Sequence, residues 1–537
     1  MIRPEVVQQL ACPSFGLATS WMLSRKGAPA DSLEEVKRCF RREFWPFTKT
    51  LPKKNADLAR ALREKANECY KKQPADLDVA LKLYNESISH APEESEDLGM
   101  GYANRSAVYF NRKQYRRCLS NIQLAKASNY PKNKIDNLLK REQKCFDMLQ
   151  DSSIEKKQHT FSEVQLHKSD LQFADVQNCG SGFIAKRDLK VGSVFIESPA
   201  LLVLEPELTY CRCNHCGLVN DMDLIPCKVC CTAMYCSEQC RTIAFDQYHR
   251  FECEIMEDLK YLFKGPDDSA CRKYHLSLRL FWMAAGNLLE NPIDFSLRYK
   301  NDLNRYRNSL EINTDDLPLH VLADGTSNLY SDRTGKSILQ FFTILLYHIA
   351  VDENDSFPID SAPSEHKNML LEILYRLLQV KRIEAFQAMI CFYPLLRILN
   401  HSCAPNVEEH RFGQQSVLVV KRPIKAGEQI LLCYIPNGTT DTMPKEKRRT
   451  LLLKQFELDC QCLGCSLAYP PLSEIEENVA LKSELEAISP KEGEQKLRAL
   501  EEFLQRHDEL YPQKELAYAW DMYKKQRFDK LVDLSIA

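Results

Sequence analysis

Three features of the sequence predict a multidomain α+β protein. Apolar residues recur at three- and four-residue spacing from Leu58 to about Leu149, the period of packed helices. Two later segments, Ala185-Lys186-Arg187-x-Leu189-Lys190-x-Gly192 and Val420-Lys421-Arg422-x-Ile424-Lys425-x-Gly427, share one pattern. Each sets a glycine turn between β-prone runs and reads as a hairpin, so the β units are short and separated rather than βαβ. Between them lie four close pairs of cysteine and histidine. At 537 residues the chain is too long for one core, and two to four domains are expected.

Composition narrows the class. Hydrophobic content of 44% and charged content of 27% are ordinary for a globular protein. A net charge of -2 argues against a nucleic-acid binder that relies on a basic field. No apolar run approaches the roughly 20 residues that cross a bilayer, and Leu10 to Leu23 is too broken by Pro13, Ser14, Thr19 and Ser20 for a signal peptide. A monomer without membrane contact, in cytoplasm and nucleus, is expected. In a reducing interior the 22 cysteines read as metal ligands rather than disulfides.

Taken in order, residues 1–55 form an N-terminal segment with a short helix from Leu33 to Phe44 that Trp45-Pro46 ends. Over 56–150, Ala80, Tyr84, Ser87 and Pro92 return as Cys118, Ile122, Ala125 and Pro131, about 38 residues later. Ala66-Asn67-x-x-Tyr70 and Tyr102-x-Asn104-Arg105-Ser106-Ala107 resemble the first helices of tetratricopeptide repeats, whose stacks present a concave face to peptides. Arg63, Asn67 and Asn104 resemble three of the five positions with which some such repeats clamp a chaperone's acidic tail. The other reading is that the asparagines bridge helices. Asp151 to Gln158 reads as a linker.

The paired ligands are Cys213-x-x-Cys216, Cys227-x-x-Cys230, Cys236-x-x-x-Cys240 and His249-x-x-x-Cys253. Seven thiols and one imidazole supply two tetrahedral sites of the kind structural Zn²⁺ prefers. Residues four apart share a helix face, so the last two pairs each reach one ion. Cys211 and Cys231 are further thiols at the edges. The pattern, with Tyr235 before Cys236, closely resembles a MYND finger. That resemblance implies interleaved sites, Cys213, Cys216, Cys236 and Cys240 on one zinc and Cys227, Cys230, His249 and Cys253 on the other. It also implies affinity for proline-containing peptides; a DNA-reading stripe is absent.

The stretch Arg397-Ile398-Leu399-Asn400-His401-Ser402-Cys403-Ala404-Pro405-Asn406 carries the strongest signal. Asn-His-Ser-Cys-x-Pro-Asn resembles the core motif of SET-domain lysine methyltransferases. Around it, Gly180-Ser181-Gly182 resembles the cofactor loop, Gly427-Glu428-x-Ile430-x-x-x-Tyr434 the following segment, and Cys460-x-Cys462-x-x-Cys465 the post-SET cysteines, to which Cys403 adds a fourth ligand. Together these identify the SET and MYND family, near its tetratricopeptide-bearing member-four branch. The resemblance implies the SET domain in parts (160–210 and 346–437), split by the finger (211–255) and a helical insert (256–345). A post-SET segment (438–470) and C-terminal helices (471–537) follow. It implies transfer of a methyl group from S-adenosylmethionine to lysines of histone or other proteins. Gly180, Ser181, Gly182, Asn400, His401 and Tyr434 would bind the cofactor, and Tyr434 would also be catalytic.

His401 and Cys403 would allow a Cys–His hydrolase, but no nucleophile elbow or protease signature accompanies them. The chain departs from the family at Glu384, where an asparagine is usual before Ala385-Phe386, and at Leu458, usually aromatic. Ser181 replaces a basic residue. Glu384 and Leu458 favour the alternative of a zinc-finger and repeat adaptor or corepressor scaffold with a weak or inactive SET domain, whereas Tyr434, Asn400 and His401 favour the enzyme.

Overall fold

The computed structural model describes residues 53–150, 166–323 and 343–536, apart from short interruptions. The helix expected from Leu33 to Phe44 and the linker over 151–158 lie outside the described residues.

Five helices come first: α1 (Ala56–Lys71), α2 (Leu77–His90), α3 (Glu96–Asn111), α4 (Tyr115–Ala127) and α5 (Ile135–Gln150). Strands β1 (Leu171–Val176), β2 (Gly180–Ala185), β3 (Val194–Glu197) and β4 (Leu201–Leu204) follow. The cysteine-rich stretch contains β5 (Ile225–Pro226), β6 (Met234–Tyr235) and α6 (Glu238–Ala244). After it come α7 (Arg250–Leu262), α8 (Asp268–Glu290), α9 (Pro292–Asn301), α10 (Leu317–Ala323) and α11 (Ser364–Leu377). Strands β7 (Glu384–Phe386), β8 (Met389–Phe392), β9 (Asn400–His401), β10 (Val407–Phe412), β11 (Gln415–Val420) and β12 (Leu431–Leu432) precede α12 (Lys445–Phe456), α13 (Val479–Ile488), α14 (Gly493–Arg506) and α15 (Lys514–Ile536). No helix among the described residues is long and apolar enough to cross a membrane.

Two compact units emerge. The first comprises Met1–Lys157, Leu201–Leu303 and Asn313–Phe392. Its opening helices begin on side-chain caps: Asn55 accepts from Leu58 N, Asp76 from Val79 N and Ser95 from Leu98 N. Small residues then let them close-pack. Ala59, Ala66 and Ala80 are fully buried, and a Cβ on Gly101 would lie 2.7 Å from Ile88. The echoing positions are equivalent in burial. Ala80, Tyr84 and Ser87 on α2 are enclosed, as are Cys118, Ile122 and Ala125 on α4. The same helices grip the cysteine-rich stretch. Arg105 of α3, fully buried, donates to Asn121 Oδ1 (2.7 Å), Asn85 Oδ1 (2.6 Å) and Leu224 O (2.6 Å), and pairs with Asp223. Further on, β4 and β7 flank β8 antiparallel, with α8 against β4 and β8.

The second unit comprises Gln158–Ala200, Asn304–Ile312 and Tyr393–Ala537. Antiparallel β10, β11 and β3 form its central sheet, and β11 shows the two-residue alternation of a strand covered on both faces. Val417 and Val419 pack with Leu500, Phe503 and Trp520 of the C-terminal helices. Leu418 and Val420 line a small apolar space with Leu171, Phe183 and Leu399.

The two glycine-turn segments are not independent hairpins, as their sequences suggested. They pair with each other, and the exchange is nearly symmetric. Gly192 N donates to Val420 O and Gly427 N to Ala185 O, both at 2.8 Å, while Leu189 and Ile424 form a reciprocal bridge. Both glycines hold positive φ, +84° and +86°, a conformation that side chains disfavour. Each run satisfies its backbone groups on the other.

Candidate active site and metal centres

Three groups of ligand atoms converge in the described residues: Cys213, Cys216, Cys236 and Cys240; Cys227, Cys230, His249 and Cys253; and Cys403, Cys460, Cys462 and Cys465. Within each, the atoms lie within 4.8 Å of one another. Sulfurs of Cys216 and Cys236 are 3.6 Å apart, those of Cys236 and Cys240 3.5 Å, of Cys227 and Cys253 3.9 Å, and of Cys403 and Cys465 3.6 Å. A disulfide needs about 2.05 Å. Four sulfurs at about 2.3 Å from a shared tetrahedral ion are about 3.8 Å apart, so the donor sets fit Zn²⁺. Cys211 and Cys231 stand outside the groups.

Local geometry assembles these sets. Ser237 caps α6 and starts the turn that brings Cys240 beneath Cys236. Main-chain N–H groups soften the thiolates, from Val229 to Cys227 Sγ (3.4 Å) and from Cys403 to Cys462 Sγ (3.1 Å). His249 sits in a one-turn π-helical segment with Nε2 3.4 Å from Cys230 Sγ. Its Nδ1 bonds Glu252 Oε2 at 2.7 Å. Glu252 is buried and also receives His275 and, at 2.7 Å, Arg279 Nε. Burial alone would raise this carboxyl, but the Arg279 guanidinium and His275 hold it well below the usual carboxylate range.

The Asn400 stretch lies in the second unit as β9, parallel to β12. A short 3₁₀ turn, Leu396–Ile398, delivers it. Asn400 Nδ2 donates to Gln429 Oε1 at 3.1 Å and stands against Gly182, where a Cβ would approach it to 2.5 Å. Gly180 and Gly182 belong to strand β2 rather than a turn, in register opposite Val176 and Ala174. Asn406 clamps the facing strand: its Nδ2 donates to Gln429 O (2.7 Å) and its Oδ1 accepts from Leu431 N (2.8 Å).

His401 is a linker. Its Nδ1 lies 3.0 Å from the donating Tyr434 N, so Nδ1 is unprotonated and the neutral ring carries its proton on Nε2, 3.3 Å from Cys403 Sγ. Both nitrogens thus have protein partners. The Tyr434 hydroxyl donates to Leu399 O (2.7 Å), and its ring packs on His401 and on Phe456, with centroids 4.9 and 5.3 Å apart. Leu458, where an aromatic was expected, packs against the Cys403 group, while Phe456 supplies the aromatic surface on Tyr434. Glu384 lies in β7, in register with Cys391.

Elsewhere, the clamp-like residues are engaged with the helices. Arg63 pairs with Asp97 (2.7 Å), and Asn67 Oδ1 accepts from Tyr84 OH (2.7 Å) and Asn104 Nδ2 (2.9 Å). Sequence reasoning assigned no role to Gln429, Asn406, Glu252 or Arg279. The first two fall inside or beside matched motifs; Arg279 gives no local signal, because its partners lie in other elements.

Residues 180–435 match the SET domain family model. The chain is 24% identical over 525 residues to protein-lysine N-methyltransferase SMYD4 of Danio rerio, covering 77% of this chain and 66% of that one. It is 21% identical over 555 residues to SMYD4 of Homo sapiens, covering 77% and 67%. To histone-lysine N-methyltransferase SMYD3 of Mus musculus it is 24% identical over 295 residues, covering 54% and 59%. The chain spans about two thirds of the length of the SMYD4 relatives. The SET match, the convergent cysteine groups and the similarity along 77% of the chain make it similar to the SET and MYND domain-containing family, and support a place near the SMYD4 branch.

Proposed function

We propose that this protein is an S-adenosylmethionine-dependent protein-lysine N-methyltransferase. The observation that carries the reading is the apposition of Gly182, Asn400 and Gln429 beside a tyrosine whose hydroxyl is anchored on Leu399 O. A strand without side chains at that point lets the cofactor approach main-chain groups. Gly180, Ser181, Gly182 and the Asn400 amide would hold it, with His401 contributing through its main chain because its ring is occupied. When bound, S-adenosylmethionine supplies a methyl group already activated by its sulfonium. The chain's own task is to hold a neutral amine in line with it. Because Tyr434 donates its proton to Leu399 O, its oxygen is available as an acceptor to orient an amine N–H. An apolar approach disfavours the lysine ammonium, whose ordinary pKa is about 10.4.

The twelve convergent ligands would hold three zinc ions: two in the finger and one tying Cys460, Cys462 and Cys465 to Cys403. The family match begins before the finger and ends after it, which supports a SET domain split by the finger and a helical insert. The equivalent burial of α2 and α4 supports tetratricopeptide-like repeats. On the finger, exposed Leu218, Val219 and Val229 suit an apolar peptide, whereas an acidic tail would have to displace Asp97 from Arg63. Thiols arranged as metal ligands suit the reducing cytoplasm or nucleus.

Calorimetry of S-adenosylmethionine with zinc-loaded protein tests the reading. Binding is expected, with Tyr434→Phe retaining binding but losing transfer to a peptide panel. No binding at millimolar cofactor would overturn it.

A further inference from the structure

Glu197 ends β3, far in sequence from the Asn400 motif. Its two carboxylate oxygens are both taken by main-chain donors: Oε1 accepts from Leu395 N (2.8 Å) and Oε2 from Leu396 N (2.9 Å). These donors open the 3₁₀ turn, whose later N–H groups are satisfied internally, Ile398 N by Leu395 O and Leu399 N by Leu396 O. The turn ends at Leu399, the carbonyl that receives the Tyr434 hydroxyl, and the next residue is Asn400 against Gly182. One carboxylate therefore sets the start of the segment that places both groups.

We propose that Glu197 is a positioning residue for methyl transfer: its ionised carboxylate fixes the Leu396–Ile398 turn, and through it Leu399 O, the Tyr434 hydroxyl and Asn400. This rests on the methyltransferase reading. Only the carboxylate accepts well at both oxygens; a protonated carboxyl has one good acceptor and leaves a main-chain N–H short of a partner. Desolvation pushes the Glu197 carboxyl up to about 7, with the two N–H bonds and Lys168 favouring the charge and Glu409 opposing it. Glu409 is itself engaged by Arg411 and by Ser416, the residue opposite Glu197 on β11. Because the two N–H bonds favour the charge, a turn that lets go while Glu197 stays enclosed on β3 raises the carboxyl further, so the grip strengthens as pH rises above about 7.

Hydrogen exchange by mass spectrometry on the full zinc-loaded chain reads the turn directly. In the wild type, protection of the peptide spanning 393–402, corrected for intrinsic rates, is expected to rise as pH increases from 7 to 8. In Glu197→Gln it is expected to be about tenfold lower at pH 8 and independent of pH. Peptide methylation would lose about tenfold in kcat with little change in peptide KM. Flat wild-type protection, or a Gln variant with wild-type protection and pH profile, overturns the proposal; the wild-type profile needs no variant to fold. Altered exchange with no cofactor binding in either protein would instead overturn the methyltransferase reading and, with it, a role in transfer.

Discussion

His249 and His401 sit beside cysteine clusters and do opposite jobs. His249 gives Nδ1 to the Glu252 carboxylate, which keeps a proton there and frees Nε2 as a metal ligand. His401 receives the Tyr434 N–H at Nδ1, so its proton moves to Nε2 and points at Cys403 Sγ as a donor. The same side chain offers a free nitrogen to its cluster in one place and is a strut in the other, and its outer partner decides which. The strut also couples the third cluster to Tyr434.

The sharpest break of this comparison is at Glu252. Removing it by Glu252→Ala strands Arg279 as an unpaired buried charge and costs about 3–5 kcal/mol. Thermal unfolding should show the loss, and the finger should release one zinc to a chelator more readily. Next, His249→Ala should reduce bound zinc from three ions per chain to two, whereas His401→Ala should keep all three by elemental analysis. A fall to two in His401→Ala would make it a ligand and sink the distinction.

The strut has a subtler signature. His401→Ala leaves the Tyr434 N–H without its acceptor, a loss of about 1–3 kcal/mol. His401→Asn can still present an oxygen near the Nδ1 position and should recover most of that stability in denaturant melts. The smallest effect on folding is expected at Gly182→Ala, where the new methyl meets the ends of the Asn400 and Gln429 side chains. Its melting temperature should stay near wild type while cofactor affinity, measured by calorimetry, falls about tenfold.

Much of the metal chemistry was legible because it is local. Cys-x-x-Cys turns and i, i+4 pairs on a helix bring sulfurs together whatever the rest of the chain does. The Asn400 motif was legible as a resemblance, and its helical and β surroundings by period. Less legible was the pairing of the two glycine-turn segments. Their matching patterns predicted two hairpins, but each run's backbone groups found partners on the other, some 235 residues away. The clamp reading of Arg63, Asn67 and Asn104 rested on residue type, which cannot reveal that Asp97 and Tyr84 engage them.

The sequence by itself determined which residues can ligate a metal and in what local pairs, since a few bonds of backbone set those distances. It also determined where glycine would be needed, at Gly192 and Gly427, because left-handed backbone excludes most side chains. Only the tertiary structure decided which pairs share a cluster, which tautomer each histidine adopts, and that Glu197 holds the turn before Asn400. Those outcomes depend on donors and acceptors brought together across long separations, and a hydrogen bond is specified by position and direction, not by composition.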